Sequence, residues 1–367
     1  MTDRARTISD IGELALVDRI LCLLSGCRSD VLLGPGDDGA VVDPGGRQLV
    51  LSTDSHHDGV HFRHQWTSPL DLGRRVLAVN VSDLGAMGAD PLWGLVAFAL
   101  PPSTSLNWVE DVARGLQSAS EEFGCSIIGG DVTRVPERVG ITVTVVGGLA
   151  RGQAAVVRSG AQPGDLCWVT GAPGRAAAGR SLLSSGYRLL PAQAGKGGVE
   201  IEFDGGPIPD AGVVEDARRC LVAYLQPAPP VPFGVRVAGA GLANAMIDLS
   251  DGLGVDLMRL CRASDSGVMI DIEGLEERAE LQRWQSEGLG SVREWVLGGG
   301  DDYQLLGASR PDAEEELLAL AGELGVALNF IGAFLPAGEG CNLRSGGSAE
   351  PLVIRGWDHF GSPEVAR

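Results

Sequence analysis

Apolar positions along this chain recur with two periods, and the switches between them lay out the elements. ISDIGELALVDRILCLLSG carries Ile11, Leu14, Val17, Leu21 and Leu24 at helical spacing, with Asp10 placed to cap, Glu13 three residues on and Gly26 to stop it. Short strands are expected around 39–43 and 48–53, then a helix from about 68 to 88 in SPLDLGRRVLAVNVSDLGAMGAD. PLWGLVAFALP and VGITVTVVGGLA are near-continuous apolar runs and read as strands buried on both faces. Between them lie SLNWVEDVARGLQSASEEFG, a helix with Ser105 as its cap, and the short strand SIIGG.

The character changes near residue 152, where RSGAQPGD is rich in turn formers. Beyond it the strands LCWVTG, AMIDLS, GVMIDI, YQLLGAS and LNFIGAF alternate with helical patterns such as GRAAAGRSLLSSG, VVEDARRCLVAYL, DGLGVDLMRLCRAS and PDAEEELLALAGELG. The pattern predicts an α/β (α+β) chain with mixed sheets in two domains, 1–150 and 151–367, each long enough for its own core. The Gly- and Pro-rich loop 187–212 is the expected mobile segment.

Charge narrows the chemistry. Asp and Glu total 48 against 29 Lys and Arg, a net charge of -19, which disfavours nucleic acid and anionic membrane as partners. Lys196 is the single lysine, and its context AGKGG lacks P-loop spacing. A Walker-type ATPase and a protein-kinase fold, both built around a phosphate-binding lysine, are therefore disfavoured. Seven cysteines (Cys22, Cys27, Cys125, Cys167, Cys220, Cys261, Cys341) form no C-x-x-C pair and are odd in number, as expected of thiols in a reducing compartment. With no secretory signal and no apolar run near the ~20 residues of a membrane span, a cytoplasmic protein is expected.

One local grammar recurs. An apolar strand runs out, one to three small residues follow, and an aspartate appears: VLLGPGDD (Asp37, Asp38), LVLSTD (Asp54), SIIGGD (Asp131) and AMIDLSD (Asp248, Asp251). VNVSD (Asp83) repeats the ending inside a helix, and LGGGDDYQLL (Asp301, Asp302) sets a pair in a glycine turn. Singly, each is ordinary turn or cap chemistry. Jointly they resemble the oxygen ligands of several Mg²⁺ ions that bridge carboxylates to a polyphosphate. Mg²⁺, aided by Arg134 and Arg158, would then supply the charge that lysine does not, and would let Asp37 and Asp38 tolerate each other. His56-His57 reads as a metal site or as a packing feature, and Trp357 as a stacking platform for a flat cation or as a core plug.

GPGDDGAVV, LSTDSHHDGVHF, LAVNVSDLGAMGADP, IIGGDVTR, RSGAQPGD, IDLSDGLGVDL, GGDDYQLL and RGWDHF follow in order from 34 to 360. Together they resemble the thiamine-monophosphate kinase family, of the superfamily that includes aminoimidazole ribonucleotide synthetase and selenophosphate synthetase. The resemblance implies a two-domain aminoimidazole ribonucleotide synthetase-like fold. It also implies direct transfer of the ATP γ-phosphoryl group to thiamine monophosphate, giving thiamine diphosphate. By the same resemblance Asp38, Thr53, Asp54, Asp83, Asp131 and Asp248 are metal ligands, Ser52 contributes through its backbone, and Asp251 holds a further metal. Gly130, Asp131, Arg158 and Ser250 would meet the nucleotide, and His61, Asp301 and Trp357 the thiamine moiety. A homodimer is implied, with N-terminal strands pairing across the two-fold.

The acceptor is itself a phosphate, so no protein nucleophile or general base is required. Asp54 and Asp131, on strands expected to be neighbours, are the candidates to share a central, catalytic metal. The chain departs from the family pattern at Asp301, where Glu is usual, at Gln304, which replaces a second acid, and at DVTR for DTTR; these bear on acceptor recognition. Two other readings stand beside this one: a superfamily paralogue using ATP on another phosphorylated acceptor, and a catalytically silent nucleotide-binding regulator. Selenophosphate synthesis is disfavoured because Cys27 has no lysine beside it.

Overall fold

The structure, a computed structural model, describes residues 6–24, 28–34, 40–190, 200–206, 210–345 and 348–353. The chain divides into two compact units, Met1–Leu84 with Ala89–Ala154, and Gly85–Gly88 with Ala155–Arg367.

In the first unit a four-stranded sheet runs in the order Leu49–His57, Gly140–Gly148, Asp90–Leu100, Ser126–Arg134. Neighbours are antiparallel except the last two strands, which the helix Leu106–Phe123 joins in parallel. Alternation along Gly140–Gly148 buries Ile141, Val143 and Val145 completely. On the opposite face Leu51 and Leu95 are 65% and 42% exposed. The apolar runs read as buried on both faces are thus covered fully on one. Val31–Leu33 pairs antiparallel with Val41–Val42, with Leu33 opposite Val41; Asp37 and Asp38 themselves lie outside the described residues.

Helices Pro69–Ala86 and Leu106–Phe123 meet backbone to backbone. A Cβ on Gly73 would fall 2.0 Å from the Val112 carbonyl oxygen, and one on Gly115 2.0 Å from that of Leu70. The N-terminal segment differs from expectation. Asp10 does not cap the long helix; its carboxylate takes the Thr7 amide (2.7 Å) and hydroxyl (2.9 Å) around the short 3-10 turn Ile8–Asp10. Gly12, at φ 78°, then redirects the chain, and helix Glu13–Leu23 with its cap buries Leu16, Ile20 and Leu24 rather than the face through Val17 and Leu21.

The second unit holds a seven-stranded mixed sheet, in the order Ala245–Asp248, Leu305–Ser309, Leu166–Thr170, Leu328–Pro336, Ser266–Asp271, Cys341–Ser345, Ser348–Pro351. Ser266–Asp271 and Cys341–Ser345 form its one parallel pair. Trp168 centres the core, edge-on to Phe233 and donating to Ser309 Oγ at 2.8 Å. Phe233 comes from helix Val231–Gly239, which the sequence did not announce because Pro230 and Pro232 read as breakers; both sit at its start, where proline is tolerated. Within the expected loop 187–212, Tyr187–Leu190 pairs antiparallel with Glu200–Phe203, where Tyr187 stacks on Phe203, and helix Ala211–Leu225 begins before residue 212. No helix among the described residues is long and apolar enough to cross a membrane.

The glycine contact between the two helices gives a test. Gly115→Ala should lower stability by about 1–3 kcal/mol, the usual range for overpacking. Gly322→Ala, in helix Glu314–Leu324 with nothing within 4 Å of the added methyl, should raise it by about 0.5–1 kcal/mol. Urea unfolding of both variants reads the difference, and equal effects would refute the close approach.

Candidate functional site

Strand Leu49–His57 and helix Pro69–Ala86 carry the acidic cluster of the first unit. Side chains alternate along a strand, so Ser52 and Asp54 share one face and Thr53 takes the other. Asn80 and Asp83, three residues apart, share one side of the helix. Two hydrogen bonds staple the elements: Ser52 Oγ donates to Asp83 Oδ2 at 2.5 Å, and the Asp54 amide to Asn80 Oδ1 at 3.1 Å. Asn80 is fully buried, and its own amide group donates to Val76 O at 2.8 Å, which fixes the end that faces the strand. Asp54 stays exposed and Asp83 half-buried. Thr53 Oγ1 lies 2.9 Å from Thr144 Oγ1 on the far face.

Asp131 stands on the other edge of the sheet. Gly140–Gly148 and Asp90–Leu100 separate its strand from that of Asp54. At about 4.8 Å per strand this is roughly 14 Å, too wide for one Mg²⁺ that takes its oxygens at about 2.1 Å. The expected adjacency of Asp54 and Asp131 is corrected: the later strand Gly140–Gly148 inserts between the earlier ones. Gly130 answers a backbone need, since a Cβ there would lie 1.9 Å from the Val96 carbonyl oxygen. His61 Nδ1 accepts the His57 amide at 3.1 Å, and its ring meets His56 edge-on. His56 is buried; burial, then the Arg75 charge, pushes its pKa down to about 3 and keeps it neutral.

In the second unit two loops meet through their backbones. Leu249 N donates to Gln304 O (2.8 Å), Tyr303 N to Leu249 O (2.7 Å) and Asp301 N to Ser250 O (2.9 Å). Gly300 permits the approach: at φ 68° its Cβ would lie 2.8 Å from Ser250 O. Asp301 and Tyr303 hold left-handed φ of 64° and 49°, conformations kept by the surrounding bonds.

Asp256, in the first turn of helix Leu253–Ser264, anchors the Ser-Asp-Gly loop. Its Oδ2 accepts the amides of Ser250 (3.1 Å) and Asp251 (3.0 Å). Arg259 Nη1 bridges Asp256 Oδ1 (2.7 Å) and Asp251 Oδ2 (2.6 Å). Burial, then the Asp251 charge, raises the Asp256 pKa to about 6. Asp248 is buried where its strand ends. Arg158 is exposed, and its carbonyl accepts Ser264 Oγ at 3.1 Å, tying that loop to the end of the same helix.

Asp301 receives Arg180 Nη1 at 3.2 Å and the Tyr303 hydroxyl at 3.4 Å. Its neighbour Asp302 turns inward and accepts the amides of Gly174 (2.9 Å) and Ala176 (3.4 Å) at the start of helix Arg175–Ser184. Burial outweighs those bonds and raises the Asp302 pKa to about 7.

The fold therefore joins Ser52, Asp54 and Asp83 in one unit, and Asp248, Ser250, Asp251 and Asp301 on adjoining loops of the other. Asp38, Trp357 and Lys196 lie outside the described residues. Among the described residues no three His, Cys, Asp or Glu side chains gather as a cage. The exposed carboxylates fit Mg²⁺ without one, since that ion binds through one or two carboxylates, water and substrate phosphates. Sequence reasoning missed Asn80, Asp256 and Arg180. Asn80 was detectable as a polar residue one turn before Asp83, and Asp256 as an acid in a first helical turn. Arg180 had no local signal, because its partner lies 121 residues away.

Residues 36–149 match the AIR synthase related protein N-terminal domain, and 229–340 the C-terminal domain of the same family. The chain is 37% identical over 357 residues to the thiamine-monophosphate kinase of Escherichia coli K12, across 96% of this chain and 99% of that one. The crystal structure of thiamine-monophosphate kinase from Stenotrophomonas maltophilia superposes with a TM-score of 0.75 at 33% identity, over 92% of this chain and 98% of that one. AaThiL complexed with AMPPCP and TMP superposes at 0.69 and 28% identity, over 98% and 100%.

Asp302 makes a prediction about pH. Its folded pKa of about 7 lies above the ordinary 3.8, so between those values the folded state holds a proton that the unfolded chain has shed. Its stabilisation is full below 3.8 and is lost as pH rises through about 7. Asp302→Asn should remove that loss, so the stability gap between variant and parent should change by about 1–4 kcal/mol from acid to neutral pH. Parallel unfolding profiles over that range would contradict it.

Proposed function

The chain belongs to the thiamine-monophosphate kinase family, and on that premise we propose that it transfers the γ-phosphoryl group of ATP to thiamine monophosphate, yielding thiamine diphosphate. The observation that carries the reading is the stapled pair Asp54 and Asp83, set by Ser52 and Asn80 in the segments shared with the family. Asp54, Asp83 and Asp131, with Asp38, Ser52 and Thr53, serve as ligands for Mg²⁺ in the first unit. Asp248 and Asp251 do so in the second. Gly130, Asp131, Arg158 and Ser250 hold the nucleotide, and His61, Asp301 and Trp357 the thiamine moiety. Bound Mg²⁺ supplies the positive charge that lets two phosphates approach. The protein's own part is to hold the acceptor in line, and no residue has to withdraw a proton from an acceptor already ionised.

The functional form is a homodimer. Both outer strands of the first unit's sheet, Leu49–His57 and Ser126–Arg134, are unpaired on one side among the described residues, and Leu51 and Leu95 expose the sheet's open face. Long unblunted edges and an apolar face call for a cover. A second copy that closes the sheet sets the strand carrying Asp131 in one chain against the strand carrying Asp54 in the other. The separation seen within one chain then ceases to forbid a shared ion.

Complementation tests both statements at once. Asp54→Asn and Asp131→Asn should each cut thiamine diphosphate formation by at least about a hundredfold. Co-expressed, they should recover about a quarter of parental activity, because half the dimers then hold one intact site of two. Failure to recover in a verified heterodimer, or a monomer by light scattering, would overturn the shared site. No thiamine diphosphate from the parent, with ADP formed on another phosphorylated acceptor, would replace the function with the paralogue reading that Asp301 favours.

A further inference from the structure

We infer that Arg180 sets acceptor selectivity by charge: it favours a phosphate monoester over the dephosphorylated, purely cationic alcohol. The inference rests on the reading above that Asp301 faces the thiamine moiety. Arg180 comes from helix Arg175–Ser184 and grips the glycine turn twice, Nη1 on Asp301 Oδ2 at 3.2 Å and Nη2 on Gly299 O at 3.1 Å. Such a two-pronged hold is available to a guanidinium and not to an ammonium. The carboxylate's other oxygen takes the Tyr303 hydroxyl, and the Asp301 amide is tied to Ser250 O. The pair stays partly open, with 41% of the Arg180 side chain and 23% of that of Asp301 exposed. It is a surface that a ligand can meet, not a core contact.

Charge then decides. Thiamine monophosphate carries a cationic ring and an anionic phosphate, while the parent alcohol carries the cation alone. A lone Asp301 would attract both through the ring and give the protein no reason to reject the alcohol. Arg180 cancels that attraction and leaves a guanidinium that favours the phosphate, so the dead-end cation gains no net attraction and is turned away by charge rather than by shape. Asp301 is one methylene shorter than Glu, and the long Arg180 side chain reaches to it across the turn. Arg180 is a selectivity residue; it takes no part in bond making.

Arg180→Gln and Arg180→Lys in the full chain test this, with KM for thiamine monophosphate, the inhibition constant of thiamine and KM for ATP measured side by side. Arg180→Gln should raise KM for thiamine monophosphate about tenfold and tighten thiamine inhibition severalfold, with KM for ATP within about twofold of the parent. Arg180→Lys, which keeps the charge and loses the fork, should retain the parental preference. Weakening of both ligands by one factor, a matching loss of ATP affinity, or a Lys variant behaving as Gln would overturn the inference and leave Arg180 as a clamp. A parent that makes no thiamine diphosphate removes the underlying reading, and this inference with it. A parent that makes it, with an unshifted ratio in Arg180→Gln, removes this inference alone.

Discussion

Two hydrogen bonds between a strand and a helix decide where the first unit's carboxylates stand. The Asp54 amide lies on an edge strand and finds its acceptor in Asn80, while Ser52 ties itself to Asp83. A hydrogen bond to a carboxylate contributes about 1.5–3 kcal/mol, enough to hold an acidic side chain in place without neutralising it. The helix also packs at the distance of a backbone contact, because Gly73 and Gly115 leave no side chain between it and Leu106–Phe123. From glycine to helix contact to carboxylate, each placement follows from the one before.

The second unit separates two jobs between neighbouring aspartates. Asp256 and Asp302 turn inward and bind backbone amides; burial raises the pKa of each. Asp251 and Asp301 turn outward and meet Arg259 and Arg180. The inward pair builds the loops, and the outward pair keeps its carboxylates partly exposed. Breaking an inward aspartate leaves amides without acceptors, a structural loss. Changing an outward one alters the charge of a partly exposed ion pair.

Much of this was legible in the sequence because it is periodic. The strands Asp90–Leu100 and Gly140–Gly148 and the helix Pro69–Ala86 were visible as apolar patterns, and the family segments placed Asp54, Asp83 and Asp131. Sheet order was not legible: nothing local in VGITVTVVGGLA says that it inserts beside Leu49–His57 and so parts Asp54 from Asp131. Helix Val231–Gly239 hid behind its prolines, and the first helix carries two apolar stripes, of which the one through Leu16 and Ile20 is buried. Asp301 and Asp302 are adjacent and identical in type, and only burial tells them apart.

In the proposed function, Mg²⁺ on the carboxylates turns an acidic chain with one lysine into a surface that can hold a triphosphate. The direct measurement is calorimetric titration of a non-hydrolysable ATP analogue, with Mg²⁺ and with a chelator. Binding should weaken by at least about a hundredfold when the divalent cation is removed. Equal affinity in both conditions would show that arginines and backbone amides suffice, and would contradict metal-borne recognition by these aspartates.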